Sequence, residues 1–85
     1  MAYSILLAPS AERQLKALAG PIQKRIVKRL RTLAANPRPQ GVKKLACEDD
    51  VYRIREGDHR IIYMIRDKEL IVLVVKIGAR KEIYR

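Results

Sequence analysis

Residues 52–63 read YRIREGDHRIIY, and this stretch predicts a β-hairpin that carries three arginines. Apolar and polar residues alternate on both sides of Gly57-Asp58, a dipeptide that favours a two-residue turn. Such a turn places Arg55 opposite Arg60, and side chains two positions apart share one face of a sheet. The pattern therefore predicts an arginine face and an opposite core face, formed respectively by Arg53, Arg55 and Arg60, and by Tyr52, Ile54, Ile61 and Tyr63.

The pairing of Arg55 with Arg60 needs an explanation, because like charges directly opposite each other weaken a hairpin by up to roughly 1 kcal/mol. One explanation is structural: both side chains extend into water, or carboxylates of Glu56, Asp58 or residues 48–50 neutralise them. The other is functional: the face is an anion site, because planar guanidinium groups match the geometry of phosphate. The hairpin alone leaves both explanations open.

Charge is distributed unevenly along this chain of 85 residues, whose net charge is +10. Residues 1–47 contain ten Lys or Arg and one acid, whereas residues 48–85 contain nine Lys or Arg and eight acids. Such an excess of positive charge indicates an anionic partner, which is a nucleic acid, an anionic membrane or an acidic protein.

The compartment follows from cysteine usage and from the lack of targeting segments. Cys47 is the single cysteine, which excludes a disulfide framework and a thiolate metal site. No apolar run has the length of a transmembrane helix, and the N-terminal apolar run has no basic region before it. We therefore expect a cytoplasmic protein that is not inserted in a membrane.

Helical periodicity predicts two basic helices joined as a hairpin. Ser10 is the expected N-cap of the first helix, and Gly20-Pro21 ends it and begins the second. Asn36-Pro37 ends the second helix, because a residue before proline disfavours helical geometry. The exposed sides of the two helices carry Arg13, Lys16, Lys24, Arg25, Lys28, Arg29 and Arg31.

Strand periodicity predicts short strands at residues 3–7 and around 42–45, and long strands at 51–56, 59–66 and 70–77. The last of these, LIVLVVKI, is apolar on both faces, as is typical of an interior strand. A two-residue turn at Asp67-Lys68 would pair Arg60 near Val75. The element order predicts a single α+β domain over residues 1–85, with the helical hairpin packed on one face of a small, mostly antiparallel sheet. The other face is left to long side chains or to a partner.

The C-terminal tail adds two residues to the arginine face. Gly78 permits a bend, after which Arg80 and Tyr84 follow within reach of that face. Arginines together with a tyrosine can hold a phosphate and stack a base, although packing of Tyr84 on the sheet edge is the simpler alternative. His59 is the single histidine and flanks the turn on the side away from Arg60, so no histidine pair is available for acid–base catalysis.

Residues 43–84 resemble the RelE family of toxins from toxin–antitoxin systems. The resemblance lies in Lys44-Leu45, in YRIREGDHRIIY, in the apolar strand and in IGARKEIY, and the helical hairpin at residues 10–35 agrees in position and charge. It therefore extends over nearly the whole chain. The spacing YR-x-R-x-G-D-x-R-x-x-Y followed by G-x-R-x-x-x-Y is fairly specific to the RelE/ParE superfamily and less specific for an activity within it.

The resemblance implies a ribosome-dependent endoribonuclease that cleaves mRNA by attack of a ribose 2′-hydroxyl on the neighbouring phosphate. It implies no metal and no cofactor. Its partners would be the ribosome, mRNA and a cognate antitoxin, through which the toxin–antitoxin complex would bind operator DNA. By position, the resemblance assigns catalysis to Arg53, Arg55, Arg60, Arg80 and Tyr84, and RNA contacts to Lys43 and Lys44.

Individual roles also follow from the resemblance. Arg60 would stabilise the charged phosphorane, Arg80 would assist the leaving 5′-oxygen, and Tyr84 would stack on a base. Arg55 stands where the family often has a lysine with a proposed role as general base. Because arginine stays protonated in proteins, Arg55 would orient the 2′-hydroxyl or neutralise the phosphate. The ribosome or the substrate would then accept the proton.

Two other functions fit the same sequence. A ParE-like chain shares the fold and inhibits DNA gyrase by binding, but it does not require Arg60, Arg80 and Tyr84 together. A non-catalytic basic module would bind nucleic acid through the cationic half of the chain, residues 1–47.

Overall fold

Five strands and two helices form the part of the chain that the structure, a computed structural model, describes: residues 2–44 and 50–79. In chain order the elements are β1 (Ser4–Leu7), α1 (Pro9–Lys16), α2 (Gly20–Ala35), β2 (Lys43–Lys44), β3 (Val51–Glu56), β4 (His59–Arg66) and β5 (Ile71–Ala79). The strands form one sheet in the order β1-β5-β4-β3-β2, in which only the β1–β5 pair is parallel. The predicted α+β fold is confirmed.

The hydrophobic core lies between the helices and one face of the sheet. Ile26 and Leu33 of α2 are fully buried, as are Ile61 and Tyr63 of β4. Burial of each such side chain contributes about 1.5–3 kcal/mol of transfer free energy, so this layer fixes which sheet face is internal. Within the described residues, neither helix has the length and apolar character needed to cross a membrane.

α2 begins and ends where the sequence predicts, but α1 does not, since it ends at Lys16 and not at Gly20-Pro21. This helix begins at Pro9, with Ala8 at the N-cap position and no side-chain cap. The Ser10 hydroxyl instead donates a hydrogen bond to the Val75 carbonyl at 3.2 Å. The prediction of Ser10 as N-cap is therefore wrong. Proline suits the first helical turn because its missing N–H needs no partner there, and this lets the helix begin two residues earlier than predicted.

The hairpin of β3 and β4 has the predicted bounds and register. Glu56 lies opposite His59, Arg55 opposite Arg60, and Ile54 opposite Ile61. Gly57 has a φ of 61°, the left-handed conformation that a tight hairpin turn requires and that glycine adopts without strain. Side chains therefore alternate between the two faces of the sheet along both strands as far as the turn.

The connection of β4 to β5 differs from the prediction. The turn contains four residues, Asp67 to Leu70, and Arg66 lies opposite Ile71. A β-bulge then inserts Val75 as an extra residue, because Tyr63 lies opposite Val74 whereas Ile62 lies opposite Lys76.

The longer turn and the bulge together shift the register. Arg60 consequently lies opposite Gly78, and the predicted pairing of Arg60 near Val75 is wrong. The prediction also ended the strand at residue 77, whereas β5 continues to Ala79.

The sheet face away from the helices remains open over its apolar part within the described residues. Leu6 of β1 is 48% exposed, and Ile62, Met64 and Leu73 are only half-buried. β5 is an interior strand as predicted, between β1 and β4, but only its helix-facing side is fully buried.

Candidate functional site

Four cationic side chains line one cavity of about 220 Å³ on the open face of the sheet. We call it the cationic cavity, and its lining is Gly41, Lys43, Arg53, Arg55 and Arg60. The described lining contains no carboxylate, so the cavity concentrates positive charge in one place. Such an arrangement attracts an anion and repels a free metal cation.

Strand pairing sets the positions of these cations. Lys43 of β2 lies opposite Arg53 of β3, and Arg55 lies opposite Arg60 of β4. Directly opposed residues have Cβ atoms about 4.5–5.5 Å apart, which is close enough for several side chains to contact one phosphate. Gly41, with a φ of 91°, lies in the loop that leads into β2.

Arg55 and Arg60 differ in their surroundings. Arg60 is only 9% exposed, which is unusual for an arginine, and its Nη1 lies 3.5 Å from the His59 carbonyl oxygen. Arg55 is exposed, and its Nε donates a 2.9 Å hydrogen bond to the carbonyl of Gly57 in its own turn. The structure thus combines a buried guanidinium with an exposed one that is held by the hairpin.

Glu56, one of the carboxylates that could neutralise Arg55 and Arg60, lies on the other face of the sheet. Glu56 belongs to the helix-facing side of β3, and its Oε1 lies 3.8 Å from Nε of Arg29 on α2. Glu56 therefore pairs with the helix and does not neutralise Arg55 or Arg60. Residues 48 and 49 of the acidic run lie outside the described residues.

The other predicted site residues do not all join the cavity. Lys44 lies opposite Tyr52, so its side chain belongs to the other face of the sheet from Lys43. The neighbouring His59 faces away from Arg60, as predicted, and lines a cavity on the helix side. Arg80 and Tyr84 lie outside the described residues, and their roles stay predictions.

Two residues of the site region were missed by sequence reasoning. Gly41 was treated as part of a loop, and no local pattern distinguished it. Lys76 lies opposite Ile62 on the open face, on the same side as Arg60. In the structure, the spacing of buried residues in β5 changes from two between Val72 and Val74 to three before Ile77. β5 is apolar at every position before Lys76, so no sequence pattern indicates this change.

A clamp around Arg38 holds the loop that carries Gly41 and Lys43. The two terminal guanidinium nitrogens of Arg38 donate to the Asp67 carboxylate at 3.1 and 2.9 Å, and its Nε donates to the Tyr52 hydroxyl at 3.2 Å. The hydrogen bonds from Arg38 and from Tyr3 lower the pKa of Asp67 to about 2. The clamp therefore joins this loop to the sheet by charge-assisted bonds.

Tyrosines reinforce the same loop from inside the core. The Tyr63 hydroxyl donates a 2.8 Å hydrogen bond to the carbonyl of Pro37, and its ring stacks on Tyr52 with 6.0 Å between centroids. Burial raises the pKa of Tyr63 above its usual value. Both tyrosines therefore have structural roles, Tyr63 as a hydrogen-bond donor and Tyr52 as an acceptor from Arg38, which accounts for aromatic residues in an otherwise aliphatic core.

Comparison with known proteins identifies the family. A family model described as ParE toxin of the type II toxin–antitoxin system parDE matches residues 5–84. The chain belongs to this toxin family. Within the RelE/ParE superfamily it is a type II toxin with a RelE-like fold, as the sequence predicted.

Individual relatives of this ParE-family toxin are named RelE. A curated protein from Methanocaldococcus jannaschii that is named as a toxin, RelE1, is 28% identical over 100% of this chain and 98% of its own length. The RelE–RelB complex from Pyrococcus horikoshii matches with a TM-score of 0.82, 27% identity and coverage of 94% of this chain and 97% of that one. A variant of Escherichia coli toxin RelE in the free state matches with a TM-score of 0.83, 25% identity and coverage of 99% and 92%.

Proposed function

We propose that this toxin is a ribosome-dependent endoribonuclease that cleaves mRNA at the cationic cavity without a metal ion. The observation that supports this activity is the convergence of Lys43, Arg53, Arg55 and Arg60 on one cavity whose described lining has no carboxylate. The predicted site residues Arg53, Arg55 and Arg60 bind and neutralise the scissile phosphate. The RelE relatives and the predicted tail residues Arg80 and Tyr84 support the same assignment.

The reaction is a transesterification within the RNA strand. The ribose 2′-oxygen forms a bond to phosphorus, the bond from phosphorus to the 5′-oxygen breaks, and a cyclic phosphate remains. The intermediate phosphorane carries additional negative charge, and donors that are already in place stabilise it without reorganisation. Arg60 supplies such a donor because burial and strand pairing fix its position.

Proton transfer requires groups other than the described arginines. Arginine remains protonated in proteins, so Arg55 orients the 2′-hydroxyl and neutralises charge but does not accept its proton. The ribosome or the substrate supplies the acceptor, which explains why cleavage depends on the ribosome. Arg80 assists the leaving 5′-oxygen, and Tyr84 stacks on a base.

A translation extract programmed with a defined mRNA tests this proposal. Wild-type toxin should cut the message, and the pair Arg60→Ala and Arg80→Ala should abolish cutting. Arg66→Ala is the matched control, because Arg66 lies on the same strand and face as Arg60 but about 20 Å away along β4. Absence of cutting by wild type, or undiminished cutting by the double variant, would contradict the proposal.

Inhibition of DNA gyrase is the second candidate, because the matching family model is that of the ParE toxin. Gyrase inhibition differs from RNA cleavage because it requires the toxin to bind gyrase but not to catalyse a reaction. A supercoiling assay with purified toxin distinguishes the two. Stabilised gyrase–DNA breaks, without mRNA cutting in the extract, would favour gyrase inhibition.

A cognate antitoxin is the expected regulatory partner. The Pyrococcus horikoshii relative was solved as a complex of RelE with RelB. The cationic surface of this chain suits an acidic antitoxin segment, and its open apolar sheet face suits an apolar one. The complex would bind operator DNA through the antitoxin. Co-expression with the cognate antitoxin should relieve growth inhibition, and harmless expression of the toxin alone would argue against this role.

A further inference from the structure

The bulge in β5 changes which residues face each side of the strand. Before the bulge, β5 pairs with β1, and the Val74 carbonyl accepts a 2.8 Å hydrogen bond from the Ala8 N–H. The next carbonyl, that of Val75, accepts from the Ser10 hydroxyl at the start of α1. Consecutive carbonyls of a regular strand point to opposite sides, so acceptance by both from this side is a property of the bulge.

Beyond the bulge, α1 replaces β1 as the hydrogen-bonding neighbour of β5. β1 pairs with β5 only as far as Val74, and the Ile77 N–H then donates a 2.8 Å bond to Oε1 of Gln14. Ser10 and Gln14 are four residues apart in α1 and so lie on the same side of the helix. Two side chains of α1 therefore satisfy backbone groups at the bulge and beyond it.

The bulge determines which residue lies opposite Arg60. Without it, the register set by Tyr63 and Val74 would place Ile77 opposite Arg60 and direct Lys76 into the core. With it, Gly78 lies opposite Arg60, and Ile77 is buried at 1% exposure. Glycine has no side chain, so at this pair β5 places no side chain beside Arg60 on the open face.

We propose that Ser10 and Gln14 are positioning residues of the cationic cavity, which fix the bulged register that places Gly78 opposite Arg60. Ser10 stabilises the bulge itself, and Gln14 stabilises the strand beyond it. Neither residue contacts RNA in this role, and both act through Arg60. The proposal rests on the proposed function in one respect, because it takes Arg60 to be a phosphate ligand.

Affinity for a programmed ribosome tests the role without requiring cleavage. The mRNA carries a 2′-deoxynucleotide at the decoding site, so no 2′-hydroxyl is available for attack. The double variant Ser10→Ala and Gln14→Leu should weaken binding about tenfold in the wild-type background and less than about twofold in an Arg60→Ala background. Such non-additivity is a readout that loss of a merely structural contact does not produce.

Three further measurements sharpen the test. Gln14→Glu, in contrast to Gln14→Leu, keeps an acceptor for the Ile77 N–H. A variant with Glu in this position should therefore keep most of the wild-type affinity for the programmed ribosome. Gln23→Leu is the matched control, because the Gln23 side chain also donates to a backbone carbonyl, that of Leu15 at 3.3 Å, which belongs to α1 and not to β5. In the variant that lacks both contacts, hydrogen exchange at the Ile77 amide should accelerate, whereas Gln23→Leu should leave it unchanged.

The outcomes separate this proposal from the proposed function. Equal weakening in the wild-type and Arg60→Ala backgrounds would show a general loss of structure and overturn the positioning role alone. Equal binding by wild type and Arg60→Ala would remove Arg60 from the anion site and overturn both. If the double variant does not fold, the same comparison of binding in the wild-type and Arg60→Ala backgrounds is made with Ser10→Ala alone. Ser10 is exposed, and its hydroxyl is the contact specific to the bulge.

Discussion

Two cationic regions lie on opposite faces of the sheet, and they hold their charges in different ways. In the cationic cavity, Lys43, Arg53, Arg55 and Arg60 are placed by strand register, and Arg60 is nearly buried. On α2, four cations are exposed, and three of them, Lys24, Lys28 and Arg31, border a wider cavity of about 440 Å³. We call this second region the α2 surface, and it consists of Lys24, Arg25, Lys28 and Arg31.

The difference separates geometric from purely electrostatic recognition. Cations with fixed positions can favour one arrangement of phosphate oxygens over another, as transition-state stabilisation requires. Exposed cations on long side chains instead supply affinity that does not depend on sequence and falls with salt. The cationic cavity therefore suits the chemical step, and the α2 surface suits attachment to an RNA backbone.

The largest effect should follow from Arg60→Lys. Lysine keeps the charge but loses the planar fork, so it should lower single-turnover cleavage on programmed ribosomes about 100- to 1000-fold. Arg66→Lys on the same strand should cleave like wild type. Equal rates for Arg60→Lys and wild type would mean that charge alone is sufficient in the cavity, and the distinction between the two regions would fail.

Removal of two charges from the α2 surface should lower ribosome affinity and its salt dependence but not the rate of cleavage. Lys24→Gln with Lys28→Gln should lower ribosome affinity roughly tenfold at low salt and reduce the slope of log affinity against log salt by about 2. Cleavage at saturating toxin should stay unchanged, because these residues do not reach the cavity.

A matched pair in other regions controls for net charge. Lys68→Gln with Lys16→Gln also removes two positive charges, from the β4–β5 turn and from the end of α1. It should change the salt slope less than the α2 pair does. If both pairs have equal effects, net charge alone explains binding and the α2 surface has no special role.

Local sequence signals predict the hairpin of the cationic cavity and the α2 surface equally well. The β3–β4 hairpin was predictable in bounds and register, because a two-residue turn at Gly57 and a period of two are local signals. The α2 surface was equally predictable from helical spacing. Both depend on residues that are neighbours in the chain.

The register of β5 was not predictable from the same signals. Leu70 closes the β4–β5 turn with a φ of 56°, a conformation that its residue type does not indicate. The carbonyl of Val75 in the bulge accepts a hydrogen bond from Ser10, which lies 65 residues earlier in the chain. A bulge with such a distant partner has no local sequence signal, and together with the longer turn it is the reason that Gly78 was not predicted opposite Arg60.

The turn that joins Arg55 to Arg60 should show a moderate effect on stability. Gly57→Ala places a side chain at a φ of 61° with no heavy atom within 4 Å of its Cβ, so backbone strain is the main cost. We expect the free energy of unfolding to fall by about 1 kcal/mol in urea denaturation. Gly20→Ala is the matched control and should not lower stability, because its Cβ also meets nothing within 4 Å and no left-handed φ is required there. Equal losses for both variants would mean that the turn imposes no conformational demand.

The smallest effect should come from the Arg38 clamp, which connects the cavity loop to the sheet. The pKa of Asp67 is about 2 in the folded chain and 3.8 when unperturbed, so its contribution to stability is fully present above pH 3.8. This contribution is lost as the pH falls toward 2, because the folded state then binds the proton that the unfolded state already holds.

Asp67→Asn should therefore lose less stability than wild type across this window, and Tyr3→Phe should lie between them because it removes one of the bonds to the carboxylate. Parallel curves for wild type and Asp67→Asn in acid denaturation would show that the ion pair does not couple to folding, and that stacking of Tyr52 on Tyr63 and the Tyr63 bond to Pro37 hold the loop without it.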